Sequence, residues 1–204
     1  TNATPVTALE LRPQAGDAGQ TETFRGNKAK FPRLAAIVAE ANSVTIYDLT
    51  EAGRPMWMRF ARPTTAMATC LWPWNDSVAT GISMLNGVLC LASTNSSRFR
   101  TLNFIAESSD SFGSASTSHA RGFAPIALRN SAWVSHTVDS QVMPSLNFNA
   151  VAMTVLPDAP VDPVTGLQVP TIAVATAGGV SIIQNDGTVR NSSSTSAFHY
   201  IQIN

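Results

Sequence analysis

The sequence predicts an all-β fold: antiparallel, propeller-like repeats of about four strands, about three blades in number, incomplete as a ring or completed by other chains. Three observations predict it. Apolar residues recur at every second position rather than at a helix's 3.6-residue period, as in Val44 and Ile46 of SVTIYDL, Met56, Met58 and Phe60 of PMWMRF, and Ile172 and Val174 of PTIAVATA. These runs are β-branched or aromatic and are bounded by Gly, Pro, Asn and Asp, so they read as strands ending in turns. A hairpin pattern then recurs three times along the chain, as in a repeat protein.

Residues 1–33 read as an extended N-terminal arm. Within it VTALELR, residues 6–12, alternates apolar and polar side chains and can supply one strand across the polar linker of residues 14–30. Residues 34–204 form the propeller-like domain. The segment FPRLAAIVAEAN is alanine-rich, but it is short, lacks a clear cap and runs straight into a strand, so residues 34–40 are expected to be a strand rather than a helix.

The first hairpin is LAAIVAEANSVTIYDLTEAG, the second GVLCLASTNSSRFRTLNFIAESS and the third TIAVATAGGVSIIQNDGTV. In each, alternating apolar residues stop at a turn and resume, the pattern of adjacent antiparallel strands. SVATGISMLNG and NAVAMTVLP supply preceding strands for the second and third copies. PMWMRF, FAPIAL and AFHYIQI supply following strands for the three. Four-stranded antiparallel units in series are the pattern of propeller blades, but a closed propeller takes about four to eight of them. The chain ends within or just after an apolar strand at Ile201 to Asn204. That points to the beginning of a longer protein or a ring completed by other chains, while Thr1, small enough to permit removal of an initiator Met, suits a native N-terminus. A Pro-rich insertion at 157–170, including DPVTGLQVP, is expected to make a rigid excursion that contacts a neighbour. The Ser-rich tract SSDSFGSASTSHARG reads as an exposed flexible loop.

Composition excludes several partners. Lys+Arg 13 balance Asp+Glu 13, and charged residues make up 13% of the chain against a usual quarter or so. No basic run exists to neutralise phosphates or a lipid surface, so neither nucleic acid nor membrane insertion is expected. No stretch approaches the roughly 20 apolar residues of a membrane span, and residues 1–30 lack the plan of a signal peptide, so the chain reads as soluble. Cys70 and Cys90 sit in apolar surroundings (MATCLW and GVLCLA) and read as buried free thiols rather than a disulfide or zinc ligands. The Asn-x-Ser/Thr triplets at Asn2, Asn75, Asn95 and Asn191 carry little weight in so Ser- and Thr-rich a chain.

The phrases SVTIYDLTEAGRPMWMRF, ISMLNGVLCLAS and VAMTVLPDAPVDPVTGLQVPTIAVATAGGVSIIQNDGTV resemble segments of tail-associated structural proteins of tailed bacteriophages, especially marine phages. There such phrases occur as propeller-like repeats near the N-terminus. The resemblance covers about residues 34–189. It implies a structural protein of the virion tail, in a fibre, spike or adaptor, that acts in assembly and host attachment. The implied partners are other virion tail proteins, copies of the chain itself and a host surface glycan. The resemblance brings no catalytic residues and no cofactor.

The residues themselves offer few sites. His119, His136 and His199 are not spaced as a metal pair and read as surface or hydrogen-bonded histidines. Carboxylates are scattered singly, and sequence brings no two of them to one glycosidic bond. Asp48 and Asp186 flank apolar strands, where Asp closes a turn with its own side chain. No Gly-x-Ser-x-Gly elbow is found, so no catalytic residue, metal site or cofactor site is assigned. Gly178 and Gly179 have neither the Lys nor the following helix of a phosphate loop, and a hairpin turn with positive φ explains both. The most unusual feature is CLWPWND: Trp72 and Trp74 flank Pro73, and with Asn75 and Asp76 they can stack on and bond a sugar ring. Packing in a core or between subunits is the preferred reading of these rings. The two function classes that remain are an assembly subunit of a virion and, as the alternative, a carbohydrate-binding module for a cell-surface glycan.

Overall fold

A computed structural model describes residues 31–40, 43–61, 79–94, 98–113, 119–123, 135–139, 141–163 and 165–203. Among these residues there are thirteen strands and no helix. All strand pairings are antiparallel, in three sheets, and none of the sheets closes on itself. The fold is all-β and propeller-like, as the period-two runs predict.

The first sheet orders β1 (Ala35–Glu40), β2 (Ser43–Asp48) and β3 (Met56–Ala61) side by side. The alanine-rich segment is indeed a strand. Ile37 faces Ile46 and Val44 faces Phe60, so one side of this sheet is continuously apolar. Between Ile46 and Tyr47 the register slips: Ile46 pairs with Met58 and Tyr47 with Met56, which leaves Trp57 as the bulged residue. A bulge re-aims side chains, and here Trp57 and Met58 are both fully buried.

The middle sheet is a six-stranded meander of β4 (Ala79–Leu85), β5 (Val88–Ser93), β6 (Phe99–Asn103), β7 (Ser108–Phe112), β8 (His119–Phe123) and β9 (Ser135–Asp139). It corrects two expectations. The Ser-rich tract is not a loop: its two ends are β7 and β8, with residues 114–118 outside the described set. Ser109 and Ser111 are buried, and the Ser111 hydroxyl donates to the carbonyl of Ala120 at 3.1 Å. Small hydroxyls fit between closely packed sheets where larger polar groups do not, and at Ser111 the hydrogen bond offsets the loss of water. The fourth place in this sheet therefore belongs to β7, not to FAPIAL, of which only Phe123 is described, at the end of β8.

The last sheet orders β10 (Phe148–Thr154), β11 (Thr171–Thr176), β12 (Gly179–Ile183) and β13 (Val189–Asn191). Its fourth strand is Val189–Asn191 rather than AFHYIQI, because the chain turns back at once after β12. Gly187 N donates to Gln184 O at 2.9 Å, and Gln184 N to Thr188 O at 2.8 Å. Residues 192–203 run on without strand structure, held to this sheet by Phe198 N on Thr176 O and by the Asn149 side-chain amide on Phe198 O.

The middle sheet is covered on both faces. Leu89, Leu91 and Leu102 point to the first sheet and join Val44, Ile46 and Phe60 in one core. The alternate residues Cys90, Ala92 and Phe99 point to the last sheet and meet Phe148, Ile172 and Val174 in a second core. At the start of the sheets β4 lies against β10, where the Thr80 hydroxyl donates to Phe148 O at 2.5 Å, and β4 also touches β1. First strands gathered together with sheets stacked in chain order give the blade-like arrangement.

Two further sequence features find their place. Phe31, inside the expected arm, packs on Trp57 and Phe104 with ring centroids 4.8 and 5.4 Å away. The Pro-rich insertion folds into a small hairpin: Val161 bridges Gln168, and Asp162 N donates to Leu167 O. It reaches the middle sheet, where the side-chain amide of Asn86 donates to Gln168 O at 2.8 Å.

Gly178 and Gly179 do form the hairpin turn, but for different reasons. Gly179 has φ +131, whereas Gly178 is absent from the positive-φ region and is required by space. A Cβ on Gly178 would stand 2.8 Å from the carbonyl oxygen of Pro144, and one on Gly179 2.6 Å from that of Ser194. Gly179→Ala is expected to destabilise the fold by about 1–3 kcal/mol in urea unfolding, from strain and the clash together. A loss below about 0.5 kcal/mol would show that residues 192–203 yield freely at this point.

Candidate functional site

Trp72, Trp74, Asn75 and Asp76 lie outside the described residues, as does Cys70. Cys90 is a free thiol, fully buried in the second core, and burial pushes its pKa up, so it is inert at neutral pH. Asp48 and Asp186 are turn closers: Asp48 Oδ1 accepts from Thr50 N at 2.8 Å, and Asp186 Oδ1 accepts from Thr188 N at 2.8 Å. A carboxylate engaged by the backbone two residues on is an Asx turn.

The concentrated chemistry of the described structure lies elsewhere, on the outer half of the middle sheet. Strand period two puts Asp110 and Phe112 of β7 on one face, and His119 and Arg121 of β8 on the same face. Register then brings them together, since Asp110 pairs with Arg121 and His119 with Asp139 of β9. His119 Nε2 stands 3.0 Å from Asp110 Oδ1, and Nδ1 stands 3.2 Å from both oxygens of Asp139. Arg121 Nε donates to Asp110 Oδ1 at 2.6 Å. The imidazole is 3% exposed and stacks flat on Phe112, with centroids 4.4 Å apart and planes 6° from parallel.

A carboxylate only accepts, so both ring nitrogens must donate, and that is the imidazolium form. Burial alone would lower the His119 pKa, but the bonds and charges of Asp110 and Asp139 outweigh it and raise the value. Burial likewise acts to raise Asp110, yet His119 and Arg121 bring it below the ordinary carboxylate range. Asp139 is lowered too: burial opposes the shift, and the backbone N–H of Gln141 and His119 prevail. The bond to Asp110 raises Arg121. The cluster is a charge-assisted staple across β7, β8 and β9, with each ring nitrogen already engaged.

This staple forms part of one wall of a cleft of about 370 Å³ between the middle and last sheets. Asn103, Ser108 and Arg121 stand on one side, and the turn from Gln184 to Gly187 on the other. Its floor is the outer margin of the second core, with Val88, Phe112, Ile172 and Ile183. The cluster is hidden in the sequence because its residues lie in and beyond a Ser-rich tract with the composition of a loop. The readable signal was alternation, Asp-x-Phe and His-x-Arg, which strands would turn to one face. Among the described residues no three His, Cys, Asp or Glu side chains are arranged to hold a metal ion. No family model matches the sequence, and no curated protein matches it.

Proposed function

We propose that this chain is a structural component of a phage tail, forming a sector of a β-propeller-like domain and acting in assembly and host attachment. The observation that carries this reading is the three-sheet stack itself. Among the described residues β3, β9 and β13 end their sheets as edges, and three blade-like sheets are fewer than a closed ring takes. Edge strands left uncovered pair with other chains, so such a sector is physically suited to a place in a larger assembly. The resemblance of its phrases to those of phage tail proteins and the neutral, sparsely charged chain support the same reading.

Two measurements test it. Antibodies raised against the chain are expected to label the tails of particles whose genome encodes it, and unlabelled tails would sink the proposal. Deleting residues 1–30 is expected to lower incorporation into particles several-fold while leaving the thermal unfolding of the isolated chain within a few degrees, because an arm is ordered by what it docks on. Unchanged incorporation would remove the arm from assembly. Loss of folding would instead make residues 6–12 an internal strand.

A further inference from the structure

We infer that the cleft between the middle and last sheets binds a neutral sugar unit, a role that stands independently of the tail proposal. Its volume of about 370 Å³ falls in the range that encloses a small ligand. The floor is apolar and mostly aliphatic, with Val88, Ile172 and Ile183, and the ring of Phe112 is already covered by His119. A carbohydrate's C–H face suits such a floor, whereas a flat aromatic ligand finds no open ring to stack on.

The rim supplies fixed donors and acceptors. Arg121 uses Nε on Asp110, which leaves its terminal amino groups as oriented donors among the described residues. Asn103 Oδ1 accepts from Ile105 N at 3.0 Å and Ala106 N at 2.9 Å, so the amide is locked and its Nδ2 is left to donate. Ser108 adds a hydroxyl that both gives and takes, and the Gln184–Asp186 turn faces it across the cleft.

Charge decides the ligand class. Three carboxylates line the cleft (Asp110, Asp162 and Asp186) against the guanidinium of Arg121 and the imidazolium of His119, and Asp110 is consumed by both cations. Neither a phosphate nor an ammonium group meets a strong field of one sign. Neutral hydroxyls, each donor and acceptor at once, use both kinds of partner.

The test is saturation-transfer NMR on the whole chain at pH 6.5 with glucose, galactose, N-acetylglucosamine and rhamnose, and with glucuronate and glucosamine as charged probes. At least one neutral sugar is expected to bind, more tightly than either charged probe. Arg121→Gln removes the charged donors, and Ala106→Trp fills the rim without touching the staple. Each is expected to weaken that binding at least tenfold while the fold, followed by thermal unfolding, survives in at least the second. Silence from all neutral sugars, preference for a charged probe, or binding that Ala106→Trp leaves intact would each overturn the inference. The last outcome would move the sugar to another site, such as Trp72 and Trp74.

Discussion

Replacing Phe104 with alanine is expected to destabilise the protein by about 3–5 kcal/mol, the range for emptying a packed aromatic position. Phe104 follows β6 and is 1% exposed, and its backbone N–H donates to Gly87 O at 2.9 Å. Its ring meets three others: Phe31 at 5.4 Å and Phe60 at 6.0 Å in edge-on contacts, and Trp57 at 6.1 Å. Such pairs each add about 0.5–1.5 kcal/mol beyond their buried area, so truncation removes more than one side chain's transfer energy. These rings join the first sheet to the middle one, and among the described residues no backbone ladder connects those sheets. Chemical denaturation measures the loss. A value under about 1 kcal/mol would mean that the two sheets are held together some other way. Tyr200→Ala, at a residue 74% exposed, is expected to change stability by less than about 0.5 kcal/mol and serves as the control.

His119→Leu is expected to cost about 3 kcal/mol near pH 6 and clearly less near pH 9. Removing one member of a buried ion pair leaves a charge without its counter-ion, a loss of about 3–5 kcal/mol. Arg121 stays on Asp110, and Asp139 is partly exposed to water, so the lower end of that range applies. The pH dependence follows from the directions of the shifts. His119 is raised in the fold, so its contribution is complete below the unfolded value of about 6.5 and is lost as pH rises through the higher folded value. Asp110 and Asp139 are lowered, so their contribution is complete above about 3.9 and is lost as pH falls through the folded values. The staple is thus strongest between about pH 4 and 6.5. Urea unfolding of both proteins from pH 5 to 9 checks this. An equal loss at both ends would show that the imidazolium is not what holds the strands.

Much of the architecture was legible in particular residues. The β-branched and aromatic alternation of SVTIYDL and TIAVATA became β2 and β11, and their hairpin partners fell where the turns placed them. Asp48 and Asp186 closed turns as their positions beside strands indicate, because an Asx turn is made within three residues and needs nothing from the rest of the chain. Where the reading failed, it assigned polar composition to solvent. β7 and β8 carry serines, an aspartate, a histidine and an arginine, and a half-polar strand in the interior looks like a loop until its partners are known.

By itself, then, the sequence determined the local order: strands of period two, tight turns between them, three consecutive antiparallel units and a buried thiol at Cys90. Only the tertiary structure decided that the middle unit extends to six strands, that AFHYIQI stays outside the last sheet, and that Asp110, His119, Arg121 and Asp139 meet. The reason is physical. Side-chain alternation says that a strand has two faces, but not which sheet each face meets, and the state of a buried polar group depends on partners far along the chain. His119 lies 9 residues from Asp110 and 20 from Asp139, and its pKa is raised because the register of three strands places a carboxylate at each ring nitrogen.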